Sequence, residues 1–114
     1  MIFFNNEVLN GNDKLIMFTA LENNQKLGEG ILDLSLSVAQ VTHVTYESKT
    51  PYVTEGIIRA AFNYAANKGF YMGMCKCDNA KEVLERMNFN CVNGSYENDI
   101  PSVLMGKCCC GDCK

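Results

Sequence analysis

One histidine and one glutamate stand four residues apart in a threonine- and valine-rich run, Val38–Glu47, of a 114-residue chain. Alternation along that run predicts a strand with Val41, His43, Thr45 and Glu47 on one face and Thr42, Val44 and Tyr46 on the other. An imidazole titrates near neutrality, so His43 could take a proton from an amine. Glu47, on the same predicted face, could do so directly or through a water. Each also has a purely structural reading. His43 could be a strand residue bonded to a carbonyl, and Glu47 a solvated strand-end carboxylate.

A helix begins directly after this strand. Thr50 suits a cap and Pro51 the first helical position. A helix start carries free N–H donors and the positive end of a dipole, and both attract phosphate. The segment Val53, Thr54, Glu55, Gly56, Ile57 and Ile58 is therefore the candidate anion-holding element, through its backbone amides. Every helix has such a terminus, and most hold only water.

Seven cysteines are many for this length: Cys75, Cys77, Cys91, Cys108, Cys109, Cys110 and Cys113. The count is odd and no secretion signal precedes them, which points to reduced thiols and a cytoplasmic protein. Cys110 and Cys113 form a C-x-x-C, and with Cys108 and Cys109 they offer the four thiolates of a tetrahedral zinc site. Neighbouring cysteines fit one metal poorly, so an oxidation-prone tail is the other reading, and no metal ligand is assigned. With a single histidine, a multi-histidine centre within one chain is excluded.

The elements that must position these groups are legible in outline. Leu15–Leu21, Lys26–Leu36 and Val38–Glu47 read as three strands, with turns at Asn10-Gly11 and Glu22–Asn24. Gly28 and Gly30 suggest a bulge or a close backbone approach. The first helix carries Val53, Ile57, Ala60, Ala61, Tyr64 and Ala65 at helical spacing and ends at Gly69. Phe70–Cys75 is a buried strand. A second helix starts at Asp78 or Asn79, with Ala80, Val83, Leu84 and Met87 inward. Phe89–Val92 and Pro101–Met105 read as the last strands. The result is one α/β domain over residues 1–106, a mixed sheet with helices on its faces, followed by a cysteine-rich tail over 107–114. Net charge is −3 with no basic cluster, which argues against nucleic-acid binding. No apolar run is long enough to span a bilayer.

This order, and the segments TEGIIRAAFNYAANKGFYMG and NAKEVLERMNF, resemble the GNAT N-acetyltransferase superfamily from about Leu15 to Met105. In that superfamily a [Q/R]-x-x-G-x-[G/A] loop opens the helix after the fourth strand and holds the pyrophosphate of acyl-CoA. Gly56 matches the first glycine and Arg59 the arginine that often follows. Val53 replaces the Gln/Arg, and Ile58 replaces the second small residue. A later Asn-x-x-Ala-x-x-x-Tyr-x-x-x-Gly-Phe pattern supplies a tyrosine acid. Here Ala80 and Phe89 match, while Cys77, Leu84 and Asn88 replace the asparagine, the tyrosine and the glycine. Tyr64, Tyr71 and Cys75 are the remaining candidates for that acid. The resemblance implies a GNAT-like fold lacking the N-terminal helices, with acetyl-CoA as co-substrate and a small-molecule or peptide amine as acceptor. It implies that Val44 and Tyr46 pair with the pantetheine and that Val53–Ile58 hold the pyrophosphate, with His43 or Glu47 as base. A non-catalytic domain that binds a partner or an acyl-CoA is the alternative. Loss of the N-terminal helices leaves one sheet face bare and favours a homo-oligomer.

Overall fold

The computed structural model describes residues 2–105. The cysteine-rich segment 107–114, and with it the zinc reading, lies outside the described residues.

Asparagine and glycine set the first three strands. β1 (Phe3–Leu9) turns through Asn10 and Gly11, at φ 51° and 71°, into β2 (Asn12–Glu22). β2 turns through Asn23 and Asn24, at φ 53° and 66°, into β3 (Gln25–Asp33). These two residue types tolerate left-handed backbone, and such turns match the twist of the strands they join. β4 (Ala39–Val44) lies antiparallel to β3, and β5 (Met72–Cys75) lies parallel to β4. β6 (Asn90–Val92) and β7 (Ser95–Asp99) complete a seven-stranded mixed sheet in the order β1-β2-β3-β4-β5-β7-β6.

Three helices cover one face of this sheet, rather than both. α1 (Pro51–Asn67) lies on β2, β3 and β4, and both α2 (Lys81–Arg86) and α3 (Ile100–Leu104) pack against it. Ile16, Phe18 and Ala20 of β2 point into that core and are buried, while Leu15, Met17, Thr19 and Leu21 alternate onto the opposite face and stay half-buried. The glycines of β3 admit the helix. A Cβ on Gly30 would sit 2.6 Å from Ile57 Cγ2, and one on Gly28 would sit 3.2 Å from Val53 Cγ1.

Inside α1 the buried stripe includes Ile58 and Phe62, whereas Ala60 and Tyr64 are only partly covered. Thr50 makes no side-chain cap bond. Gly69, at φ 95°, closes the helix as expected. A 3-10 turn, Asp78–Ala80, precedes α2, and Ala80, Val83, Leu84 and Met87 all point inward.

Two expectations need correction. Pro101–Met105 does not form a strand. Asp99 accepts the Ser102 N–H at 2.9 Å and Pro101 occupies the first turn, so the segment becomes α3, and Ser95–Asp99 supplies the last strand. In β4, Ile31 faces His43 and Leu32 faces Val41, which leaves Thr42 as an extra, bulged residue. The bulge resets the alternation. Val41 and Val44 are both buried and Thr42 and His43 both exposed, so Val41 and His43 do not share a face.

Candidate functional site between two diverging strands

β4 and β5 run together for only three pairs, Ala39 with Gly73, Gln40 with Met74 and Val41 with Cys75. A last rung joins the Lys76 N–H to the Val41 carbonyl at 3.3 Å. The chain then leaves the sheet at Cys77 and enters the 3-10 turn. β4 continues to Val44, so its outer edge past Val41 faces a slot instead of a strand.

Side chains of the link after β5 line this slot. Asn79 Nδ2 donates to the Val44 carbonyl at 2.9 Å. Cys77 Sγ takes the Val44 N–H and donates its own S–H to the Val41 carbonyl at 3.8 Å. The thiols of Cys75 and Cys77 are hydrogen-bonded to each other. The bond from Cys75 holds the Cys77 thiol below its ordinary value, helped by the Val44 N–H, against burial and the Asp78 charge. The same bond, with burial, pushes the Cys75 thiol up. Of the two sulfurs, Cys77 ionises first.

His43 stands on the bare face with about half its side chain exposed, and its Nε2 lies 3.4 Å from Glu29 Oε2. Lys26 also bonds Glu29, and that bond is the main cause holding the Glu29 carboxyl below its usual value, with the His43 charge adding to it. The carboxylate that reaches His43 is therefore Glu29 and not Glu47, which lies exposed beyond the end of β4. Sequence reading did not single out Glu29. The available signal was the β3 alternation, which puts Glu29 on the same face as Ile31, the residue opposite His43.

The start of α1 departs most from expectation. Of its four terminal donors, Thr50 N–H bonds the Glu47 carbonyl at 3.1 Å, Pro51 has none, and Val53 N–H bonds the Thr50 carbonyl at 3.0 Å. Only the Tyr52 N–H is left over. The amides of Thr54, Glu55, Gly56, Ile57 and Ile58 lie within the helix, where carbonyls four residues back take them. Their side chains are committed as well. Val53, Ile57 and Ile58 are core residues, and Thr54 Oγ1 donates to the Thr45 carbonyl at 2.5 Å. Glu55 is buried against Arg59 at 2.7 Å, and a Cβ on Gly56 would meet the Phe4 ring at 2.3 Å. The free donor thus lies one residue before the predicted cradle. Arg59 also donates to the Leu104 carbonyl at 2.7 Å. Val44 is the last residue of β4, with its carbonyl taken by Asn79, and Tyr46 follows just past the end of the strand.

Sequence comparisons return no match: neither a protein-family model nor a curated protein matches this chain at a significant level. Solved structures do match. A GNAT-family protein from Desulfovibrio desulfuricans superposes on 76% of this chain and 69% of its own, with a TM-score of 0.64 and 8% identity. An IAA acetyltransferase from Bacillus cereus reaches a TM-score of 0.69 at 7% identity, over 87% of this chain and 99% of its own.

The chain has the GNAT acyl-CoA N-acyltransferase fold.

A third GNAT-like neighbour, PaiA N-acetyltransferase from Thermoplasma acidophilum, was solved with coenzyme A. It has a TM-score of 0.58 and 12% identity, over 75% of this chain and 61% of its own. Set in the GNAT frame, this chain joins β1 to β2 by a two-residue turn, and no helix covers the bare sheet face among the described residues. Leu84, at the position of the superfamily tyrosine, is fully buried. Of the other acid candidates, Tyr64 packs edge-on against Phe18 and lies beneath Lys68, Tyr71 is exposed, and Cys75 has no accessible surface. Among the described residues no three acidic, histidine or cysteine groups converge on a metal site, and no helix is long and apolar enough to cross a membrane.

Proposed function

We propose that this GNAT-fold domain binds acetyl-CoA in the slot between β4 and β5 and transfers its acetyl group to a small-molecule or peptide amine. The observation that carries this reading is the parting of the two strands after Val41 and Cys75, where the backbone of Val44 is met only by the side chains of Cys77 and Asn79, which an extended amide-bearing ligand would displace. The pantetheine runs along that edge, with Val44 and Tyr46 as backbone partners. The pyrophosphate rests against the turn before α1, where the Tyr52 N–H is left over by the helix start. His43, oriented by Glu29, takes the proton of the acceptor amine approaching from the bare face. Coenzyme A and acetyl-CoA titrated by calorimetry, followed by a thiol-release assay over an amine panel, test the reading. No binding at millimolar coenzyme A removes it.

A second reading is favoured by one observation. Leu84 is buried and aliphatic, so the position that would protonate a departing thiolate carries no acid. In this reading the domain binds acyl-CoA or a partner chain without turnover, and it would show binding with no thiol release. In either case the bare face, with Leu15, Met17 and Ile31 half-buried on it, pairs with a second copy. Sedimentation across a concentration series reads this pairing directly; a monomer at every concentration removes it.

A further inference from the structure

Two thiols stand where the strands part. Cys75 ends β5, and Cys77 follows two residues later at the mouth of the slot. Cys75 has no accessible surface, whereas Cys77 keeps 7% of its own. The Cys77 thiol donates to the Val41 carbonyl at 3.8 Å, where β4 and β5 part, and its sulfur is met by the Val44 N–H and the Cys75 thiol. It is the one nucleophile among the described side chains that lines the slot and is hydrogen-bonded to the β4 edge.

We propose that Cys77 is an acyl acceptor, taking the acyl group from a thioester that lies in the β4–β5 slot. The inference rests on the acyl-CoA reading above and adds a covalent step to it. Cys77 Sγ loses its proton to water, and the thiolate attacks the thioester carbonyl. A new sulfur–carbon bond forms, the old one breaks, and its electron pair leaves on the donor thiolate, which takes a proton from water. No oxidant is needed. Attacking and leaving groups are both thiolates, so the exchange is close to balanced and requires no acid on the leaving group. The buried Leu84 therefore does not obstruct this step. Direct transfer to an amine would place more demand on the missing acid.

The test is peptide mass mapping of the full chain. One sample is incubated with acetyl-CoA, and a second with S-acetyl-N-acetylcysteamine, which carries the thioester without the nucleotide. Each is quenched in acid, and coenzyme A binding is measured in parallel by calorimetry. The expected result is one acetyl group on the peptide containing Cys77, released by neutral hydroxylamine. It should be absent from Cys77→Ser and Cys77→Ala and retained in Cys91→Ser. Acetyl-CoA that binds but leaves Cys77 unmodified overturns the inference and spares the binding reading. Modification spread equally over Cys91 and Cys77 also overturns it. Acetylation of Cys77 by the small thioester without coenzyme A binding supports the nucleophile and sinks the acyl-CoA reading. No modification by either thioester sinks the nucleophile.

Discussion

Asn79 bridges to Val44 across the opening between β4 and β5, its side-chain amide 2.9 Å from the carbonyl that an incoming ligand would use. The link after β5 thus supplies to the strand edge what a neighbouring strand supplies elsewhere in the sheet. Replacing the amide should expose this competition. Asn79→Ala is expected to lower stability by about 1 kcal/mol, the usual net worth of one such bond. It should also tighten coenzyme A binding by about fivefold, because the Val44 carbonyl is released. Thermal unfolding and calorimetry on the same samples read the two effects. Weaker binding would mean that Asn79 holds the ligand instead of competing with it.

His43 and Glu29 should separate from Glu47 in kinetics. If an amine panel yields turnover, His43→Gln is expected to lower kcat by about a hundredfold or more, the ordinary worth of a general base. Glu29→Gln should lower it less and move the pH profile, because Glu29 acts through the imidazole. Glu47→Gln should leave both unchanged. A loss confined to Glu47→Gln would return the base role to that residue.

Acid should weaken the fold through two carboxylates whose folded values are depressed. Glu29 is held down chiefly by Lys26, and Asp99 by the N–H and hydroxyl of Ser102. A depressed group favours folding fully above its unfolded value, and the contribution fades as pH falls through the folded value. Unfolding temperature should therefore drop as pH falls through and below the ordinary carboxylate range. Asp99→Asn and Glu29→Gln should each flatten that drop. Curves that stay parallel to the parent at low pH would refute the assignment.

Two glycines should respond differently to a methyl group. Gly30→Ala drives a Cβ to 2.6 Å from Ile57, a fully buried residue, and to 3.2 Å from the His43 carbonyl. Neither neighbour can retreat, so a cost of about 1–3 kcal/mol is expected. Gly56→Ala meets only the Phe4 ring, which lies on the exposed first strand and can swing away. Alanine also gains about 1 kcal/mol over glycine in a helix interior. The second variant should be near neutral in urea unfolding, and an equal cost at both sites would contradict the packing described.

Much of this fold could be read from residue types. Asn10-Gly11, Asn23-Asn24 and Asn93-Gly94 all take left-handed backbone, and Pro51 and Gly69 bound α1 as their chemistry requires. What escaped depended on spatial partners. The bulge at Thr42 has no local signature, because it is fixed by pairing with β3. Glu29 lies fourteen residues from His43 and meets it only once the strands are in register. The free amide at the start of α1, that of Tyr52, fell just outside the predicted segment Val53–Ile58, because Gly56 matched a phosphate loop in type. In the fold, its missing side chain makes room for Phe4. The Asp99–Ser102 cap was legible in principle, since an aspartate two residues before a proline commonly opens a helix.

The extra residue in β4 has a wider meaning. Because Thr42 takes no part in the pairing, one strand hands its inward side to the core near Val41 and its outward side to solvent at His43. Were Thr42 drawn into regular pairing instead, the imidazole would turn into the hydrophobic interior and Val44 would be lifted out of it. The reactive side of this sheet is thus decided by a count of peptide units, independent of which side chains they carry.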